Sequence, residues 1–236
     1  MIVGPLPPVK SGMWRVQPEP SKHELAYRAI RERIIDGRFT PGKRLVLSSL
    51  ARELDVSPVP VREAIRRLEA EGLVHFERNV GARVATLQDD EWEQLVEMLA
   101  LLDGFAFALA ATRVKVSDLA EARGFNGQLR EVAAAEQIDH GLVMALHRQF
   151  HRALYRCCGN RYVVESLDTI WDRIDASRVL VTLYPALRLA TAVEEHDALL
   201  DRLERGEDDS SVLEACAREH NLNAIRTIRK NAALEA

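Results

Sequence analysis

Two sets of side chains in this sequence are spaced to do chemistry. Arg62 and Arg66, in PVPVREAIRRLEAEGL, stand four apart where Val61, Ala64, Ile65 and Leu68 recur at helical spacing. The apolar stripe takes one face of a helix, and both arginines share the outer one. An arginine fork can pair with the two acceptors of a guanine edge. The ordinary alternative is that the same arginines pair with Glu63 and Glu69 on a solvated face. His147 and His151, in HRQFH, are again four apart, so both imidazoles project from one helical face and can share one metal ion. HRQFH has the spacing of the zinc-protease pattern HExxH, but the place of the general-base glutamate is taken by Arg148, which cannot accept a proton. There is also no Gly-x-Ser-x-Gly or P-loop pattern. A metal-dependent hydrolase with an appended DNA-binding domain is therefore the alternative, and the chain reads as a non-enzyme.

The elements that must position the arginines are legible around them. Ser21, with Glu24 three residues on, makes a capping box for a helix that Gly37 stops. FTPGKRL (39–45) reads as a Pro-Gly turn, and a second helix starts from Ser48 or Ser49 as cap. Ser57 caps a third helix whose first turn accommodates Pro58 and Pro60, because backbone N–H groups there have no helical partner. VHFE, the turn RNVG and ARVAT then form a small hairpin, with Gly81 supplying the unusual backbone angles at its tip. Three helices and a hairpin make a winged helix-turn-helix. In that setting Arg62 and Arg66 face bases, Arg52 reaches a phosphate or a base, Val59 meets a thymine methyl, and Arg78 and Arg83 on the wing reach the minor groove or flanking backbone.

Beyond Gln88 the pattern is helical throughout. Apolar-periodic stretches run over 89–114, 117–137, 139–158, 160–183, 186–205 and 209–233, with short breaks between them, which predicts an all-α bundle. The fold class is thus mostly α: an N-terminal winged helix-turn-helix (21–87) followed by an all-helical domain (88–236). Residues 1–20 hold five of the nine prolines and read as a mobile arm, on which Lys10 and Arg15 could brush a groove. Charge divides along the same line. Residues 1–86 carry 15 Lys and Arg against 10 Asp and Glu, and residues 87–236 carry 17 against 26, so only the front suits phosphate. The N-terminus lacks the pattern of a signal peptide, and no uncharged apolar run reaches 18 residues. Three cysteines, two of them adjacent, argue against a disulfide framework and for a cytoplasmic protein.

Residues 25–86, with LARELDVSPVPVREAIRRLEAEGLV (50–74) and the wing glycine Gly81 at the core of the match, resemble the DNA-binding domain of the GntR family of bacterial transcription regulators. LLDGFAFALAA (101–111), HRQFHRALYRCCGN (147–160), EEHDALLDRLERGE (194–207) and REHNLNAI (218–225) resemble the all-helical FCD domain of the FadR branch, with six helices closer to the VanR-like subgroup. The resemblance implies that His147, His151, His196 and His220 occupy metal-binding positions and converge from three helices on one divalent ion. Four neutral imidazoles favour a borderline ion, Zn²⁺ or Ni²⁺ or another of the first row, with an anionic ligand completing the shell. A palindromic DNA operator, a homodimer and a small carboxylate effector follow, and Arg178 is offered as a carboxylate partner. His140 is ordinary, and Cys157 and Cys158 are packing residues.

Three departures from the family pattern stand out. Relatives often carry Arg-Thr before Pro-Val-Arg-Glu, where this chain has Pro58 and Val59, so operator rules do not carry over. The usual aspartate four residues before the second histidine is here His147. The interval from His196 to His220 is also two residues longer than usual, which GEDDSS (206–211) can absorb in a loop. The resulting expectation is a repressor whose grip on DNA is set by a small organic acid at a metal site.

Overall fold

The computed structural model describes residues 21–78, 80–87, 89–177, 186–207 and 209–235. Residues 1–20, expected as an arm, and Arg178 lie outside them.

The N-terminal part is built from α1 (Lys22–Ile35), β1 (Arg44–Leu45), α2 (Leu47–Glu53), α3 (Pro58–Ala70), β2 (Val74–Glu77) and β3 (Gly81–Val84). Ser21 caps α1 by accepting from the Glu24 N–H, but the Glu24 carboxylate is engaged by Arg28 and Arg67. The hairpin is one strand larger than expected. β1 pairs antiparallel with β3, Arg44 opposite Arg83, and gives a sheet ordered β1-β3-β2. FTPGKRL is therefore a turn that runs into a strand. α2 begins at Leu47 with Val46 as its cap residue, and neither Ser48 nor Ser49 is outside the helix. Between α2 and α3 the chain turns at Asp55, at φ 51°, a left-handed angle that the short polar side chain tolerates. Ile30, Ile34, Val61, Ala64, Ile65, Leu68, Leu73 and Val84 are sealed in the core under this small sheet. Each fully buried aliphatic side chain contributes about 1.5–3 kcal/mol, which is what a domain this small depends on.

The remainder is all helix among the described residues: α4 (Asp89–Ala110), α5 (Val116–Ala133), α6 (His140–Tyr155), α7 (Arg161–Ser177), α8 (Ala186–Glu204) and α9 (Ser210–Glu235). A short 3₁₀ turn, Arg156–Cys158, follows α6 and is stopped by Gly159 at φ 74°. Asp139 caps α6 by accepting from the Leu142 N–H at 3.0 Å. α4 and α9 cross very closely at Gly104, where a Cβ would lie 2.8 Å from the Glu214 carbonyl oxygen. That crossing brings Asp103, beside the glycine, within 2.9 Å of Asn221 on α9. Trp92, Leu129, Leu167, Trp171 and Ile174 anchor one apolar cluster of the bundle, and Phe150, Leu154, Leu200 and Leu213 a second. No helix among the described residues is long and apolar enough to cross a membrane.

Candidate nucleic-acid interface and metal centre

The inner face of α3 (Val61, Ala64, Ile65, Leu68) is fully buried, so Arg62 and Arg66 must point outward, and both are exposed, as is Arg52 on α2. None of these three arginines has a carboxylate within ion-pair distance among the described residues, so the expected alternative of pairing with Glu63 and Glu69 is not what the helix does. Arg67, one residue on, behaves otherwise. It bridges Glu24 at 3.0 Å and Glu71 at 3.1 Å and lies over the Tyr27 ring. Ser57 is the cap residue of α3, as expected, but its hydroxyl makes no capping bond. A cap side chain bonds the N–H of the second or third helical residue. The third here is Pro60, which has none. The exposed hydroxyl thus remains available on the same tip as Val59, whose side chain is 56% exposed.

On the wing, Gly81 sits at φ 102° with nothing within 4 Å of where a Cβ would be, so its backbone angle, not space, calls for glycine. Arg78 is exposed. Arg83, half-buried, is already engaged within the domain: its Nε pairs with Glu77 at 2.5 Å and its Nη1 donates to the Gly42 carbonyl at 2.7 Å. The strand β1, invisible in the sequence reading, is what surrounds it.

In the bundle, α6 contributes His147 and His151, α8 His196 and α9 His220. All four are buried, at 6, 3, 0 and 2% exposure, and one nitrogen from each lies within 4.8 Å of the others. The Nε2 of His220 is 3.2 Å from that of His151 and 3.1 Å from that of His196. A tetrahedral zinc site with Zn–N of about 2.0–2.1 Å separates its nitrogens by about 3.3 Å, so these imidazoles already stand at ligand spacing.

The back nitrogens explain why. His151 Nδ1 lies 2.9 Å from Asp103 Oδ2, and His220 Nδ1 lies 2.6 Å from Glu195 Oε2. A carboxylate accepts, so each Nδ1 carries the proton. His196 Nδ1 lies 2.9 Å from Asn126 Oδ1, while the Asn126 amide donates to the Val193 carbonyl and Asp197, which fixes its oxygen as acceptor. A neutral imidazole has one N–H, and on all three rings it is spent at the back. Three bare Nε2 lone pairs therefore face one another, an arrangement that suits a cation between them. Protonation does not resolve the repulsion. Burial, followed by the charges of neighbouring rings and Arg188, holds His147 and His196 well below the ordinary imidazole value. Burial holds His220 down to about 4, although Glu195 pulls the other way. His147, in the family's aspartate position, joins the cluster with its ring 4.7 Å from that of His151. The donor set is therefore all-nitrogen and neutral, and it fits a borderline divalent ion.

Several supporting residues escaped the sequence reading. Asp103 and Glu195 sat in LLDGF and EEHD, but nothing local tied them to histidines 48 and 25 residues away. Asn126 gave no signal at all. Arg188 is buried beside the cluster, with Nη1 2.8 Å from Glu195 and Nη2 donating to the His220 carbonyl, so it holds the outer partner of one imidazole. Arg148 and Arg152, which flank the histidines, turn away to Asp172, Asp175 and Asp168. His140 lies outside the cluster. Cys158 packs in the apolar core and the Cys157 thiol donates to the Ala153 carbonyl.

Residues 22–84 match the family described as "Bacterial regulatory proteins, gntR family", and residues 93–223 match the FCD domain. The chain is 30% identical over 176 residues to a probable D-xylose utilization operon transcriptional repressor of Paenarthrobacter nicotinovorans, covering 75% of this chain and 76% of that one. It is 26% identical to the HTH-type transcriptional repressor GlaR of Escherichia coli, over 72% of this chain and 79% of that one. Among solved structures, Escherichia coli McbR/YncC shares the fold with a TM-score of 0.74 at 22% identity, over 90% of this chain and 99% of that one. The proteins matched are transcription regulators, not enzymes.

Proposed function

We propose, for a chain that belongs to the gntR family of bacterial regulatory proteins and carries an FCD domain, a cytoplasmic repressor that reads a palindromic operator as a homodimer. The observation that carries this reading is the outer face of α3 and its neighbourhood, where Arg52, Arg62 and Arg66 are exposed without a carboxylate partner among the described residues while Arg67 is engaged by Glu24 and Glu71. Guanidinium groups left unpaired on a helix that a turn and a wing hold out to solvent suit the major groove. In this reading Arg62 and Arg66 meet base edges, and Val59 meets a thymine methyl. Ser57 and Arg52 meet phosphate, and the wing at Gly81 follows the backbone.

Met98, Leu101 and Phe105 form an exposed apolar stripe along α4, and a second copy of the chain would cover it. His147, His151, His196 and His220 hold the ion, Zn²⁺ or Ni²⁺. Bound there, the ion supplies a positive charge and a place for a small carboxylate, the effector. Asp103, Asn126 and Glu195 hold the ring protons at Nδ1 and so keep each Nε2 free to ligate. Arg178 is the carboxylate partner carried from the sequence. The DNA-reading unit spans 21–87, and the effector unit spans 88–236.

Gel-shift titration on the DNA upstream of the protein's own coding sequence tests the reading, with and without chelator and against a panel of small carboxylates. Expected are a shift weakened by Arg62→Ala, about one zinc or nickel per chain in elemental analysis, and a change of affinity with at least one acid. A metal-free protein that is indifferent to every acid would sink the effector half, and an undiminished footprint with Arg62→Ala the DNA half.

A further inference from the structure

Helix α7 stands between the histidine cluster and the N-terminal domain, and consecutive residues on it face the two. The Trp171 ring is buried with its centroid 5.6 Å from that of His151 and 5.7 Å from that of His147. The next residue, Asp172, is buried too and is gripped from both sides. Arg148, which follows His147 on α6, donates from Nη2 to Asp172 Oδ1 at 2.7 Å. Arg31, on α1 of the N-terminal domain, donates from Nε to Asp172 Oδ2 at 2.9 Å and also from Nη2. Arg148 extends the chain of charges to Asp175 at 2.7 Å. One turn on from Asp172, Ala176 belongs to the apolar core of the N-terminal domain. Gly72, just past α3, leaves room for the Arg173 guanidinium, whose Nε would be 3.0 Å from a Cβ there.

α1 is in turn fixed to the far end of α3. The Tyr27 hydroxyl donates to the Glu71 carboxylate at 2.9 Å and 3.0 Å, and Arg67 lies over the same ring. A rigid path thus runs from the ring of His147, through α6 and the Trp171–Asp172 pair, to α1 and the DNA-reading helix. A charged joint between the domains on this path is a carboxylate whose two oxygens are each committed to a different guanidinium. Charge-assisted pairs of this kind are directional, so a shift of α6 against α7 redirects Asp172 and with it Arg31.

We propose that the Arg31–Asp172–Arg148 chain is the coupling through which the state of the histidine cluster reaches the DNA-reading helices, with Asp172 as the positioning residue. This rests on the function proposed above, in which the cluster holds an ion and the N-terminal domain reads DNA. The coupling acts on the orientation of α1, not on ion binding or on base contact. Arg31 touches none of the residues assigned to either task.

Hydrogen exchange on the full-length protein, zinc-loaded and chelated, tests it with Arg31→Gln, Asp172→Asn and the double variant. Zinc is expected to slow exchange in residues 22–35 of the wild type at least fivefold. Each single variant should shrink that difference below twofold while still binding one zinc per chain, and the double variant should add nothing to either. Because the readout is the zinc-dependent difference, a general loss of stability does not imitate it. Arg31 is the more exposed partner, so Arg31→Gln remains informative should Asp172→Asn fold poorly. A zinc-dependent difference of wild-type size in Arg31→Gln overturns the coupling. So does a wild type that binds zinc and DNA yet shows no difference in residues 22–35, which would leave the proposed function standing. A wild type that takes up neither zinc nor nickel defeats the coupling and the effector half of the proposed function together.

Discussion

The two domains keep their polar chemistry in opposite places. On α3 the guanidinium groups of Arg62 and Arg66 stand in solvent with no carboxylate partner among the described residues, whereas in the bundle His151, His196 and His220 are sealed from water, each with its back nitrogen hydrogen-bonded. The difference reports the size and charge of what each can take. An open, unpaired cationic face suits an extended polyanion that brings its own acceptors and leaves by dissociation. A closed, neutral, all-nitrogen cluster suits a single ion stripped of its water. The contrast recurs within one residue type: Arg67 and Arg83 pair with carboxylates of their own domain, whereas Arg62 and Arg66 do not among the described residues.

The strongest way to break this comparison is at the cluster. Removing an outer partner of a ligating histidine costs roughly 10–100-fold in metal affinity, so His220→Ala, which removes the nitrogen that faces two others, should cost more than about 100-fold by calorimetric zinc titration. DNA affinity in chelator should hold within about twofold. A variant that keeps wild-type zinc affinity would mean that the rings are ordinary core histidines. Next comes acidity. His220 is held down to about 4 in the folded, ion-free protein and returns to about 6.5 on unfolding, so the unfolded chain binds more protons between these values. Thermal melts of the chelated protein should therefore show stability falling as pH drops from about 6.5 toward about 4, and zinc should delay that fall to lower pH. A flat profile would contradict the buried, neutral state.

On the open side the effects are smaller. Arg62→Ala should cost about 1–3 kcal/mol of specific DNA binding by fluorescence anisotropy, with little change in melting temperature. Arg67→Ala should do the reverse, lowering the melting temperature while base preference survives; if both behave alike, the distinction between paired and unpaired arginines is empty. Smallest is Gly81→Ala. A left-handed backbone angle without a steric neighbour predicts a loss of about 1 kcal/mol, read in a denaturant melt, with operator preference unchanged.

Much of this was legible in the sequence because the signals were local. The helical spacing of Val61, Ala64, Ile65 and Leu68 fixed the outward face of α3, and the four-residue step from His147 to His151 put two imidazoles on one side of α6. What stayed hidden depends on partners distant in the chain. β1 is two residues long and exists only because β3 lies beside it, and the turn that leads into it offers Arg83 the Gly42 carbonyl. The Ser48 and Ser49 caps failed because α2 starts two to three residues earlier than they would set it, with only Val46 between it and β1. Asp103, Asn126 and Glu195 come from three different helices and meet their histidines only after the bundle has packed around Gly104. The same holds for Arg148, which the sequence placed beside the histidines and the fold turns toward α7.

The enclosure of the cluster also sets a clock. An ion among those four imidazoles is walled in by Phe150, stacked on His196, and by Trp171, so it can leave only when the helices part. Such openings are rare excursions of a packed bundle, microseconds to seconds long and separated by far longer waits. Residence would then follow the breathing of the protein, not the momentary supply of free metal outside. The ion would be a record of the conditions under which the chain matured, and any small ligand that joins it inside the cluster would wait on the same openings.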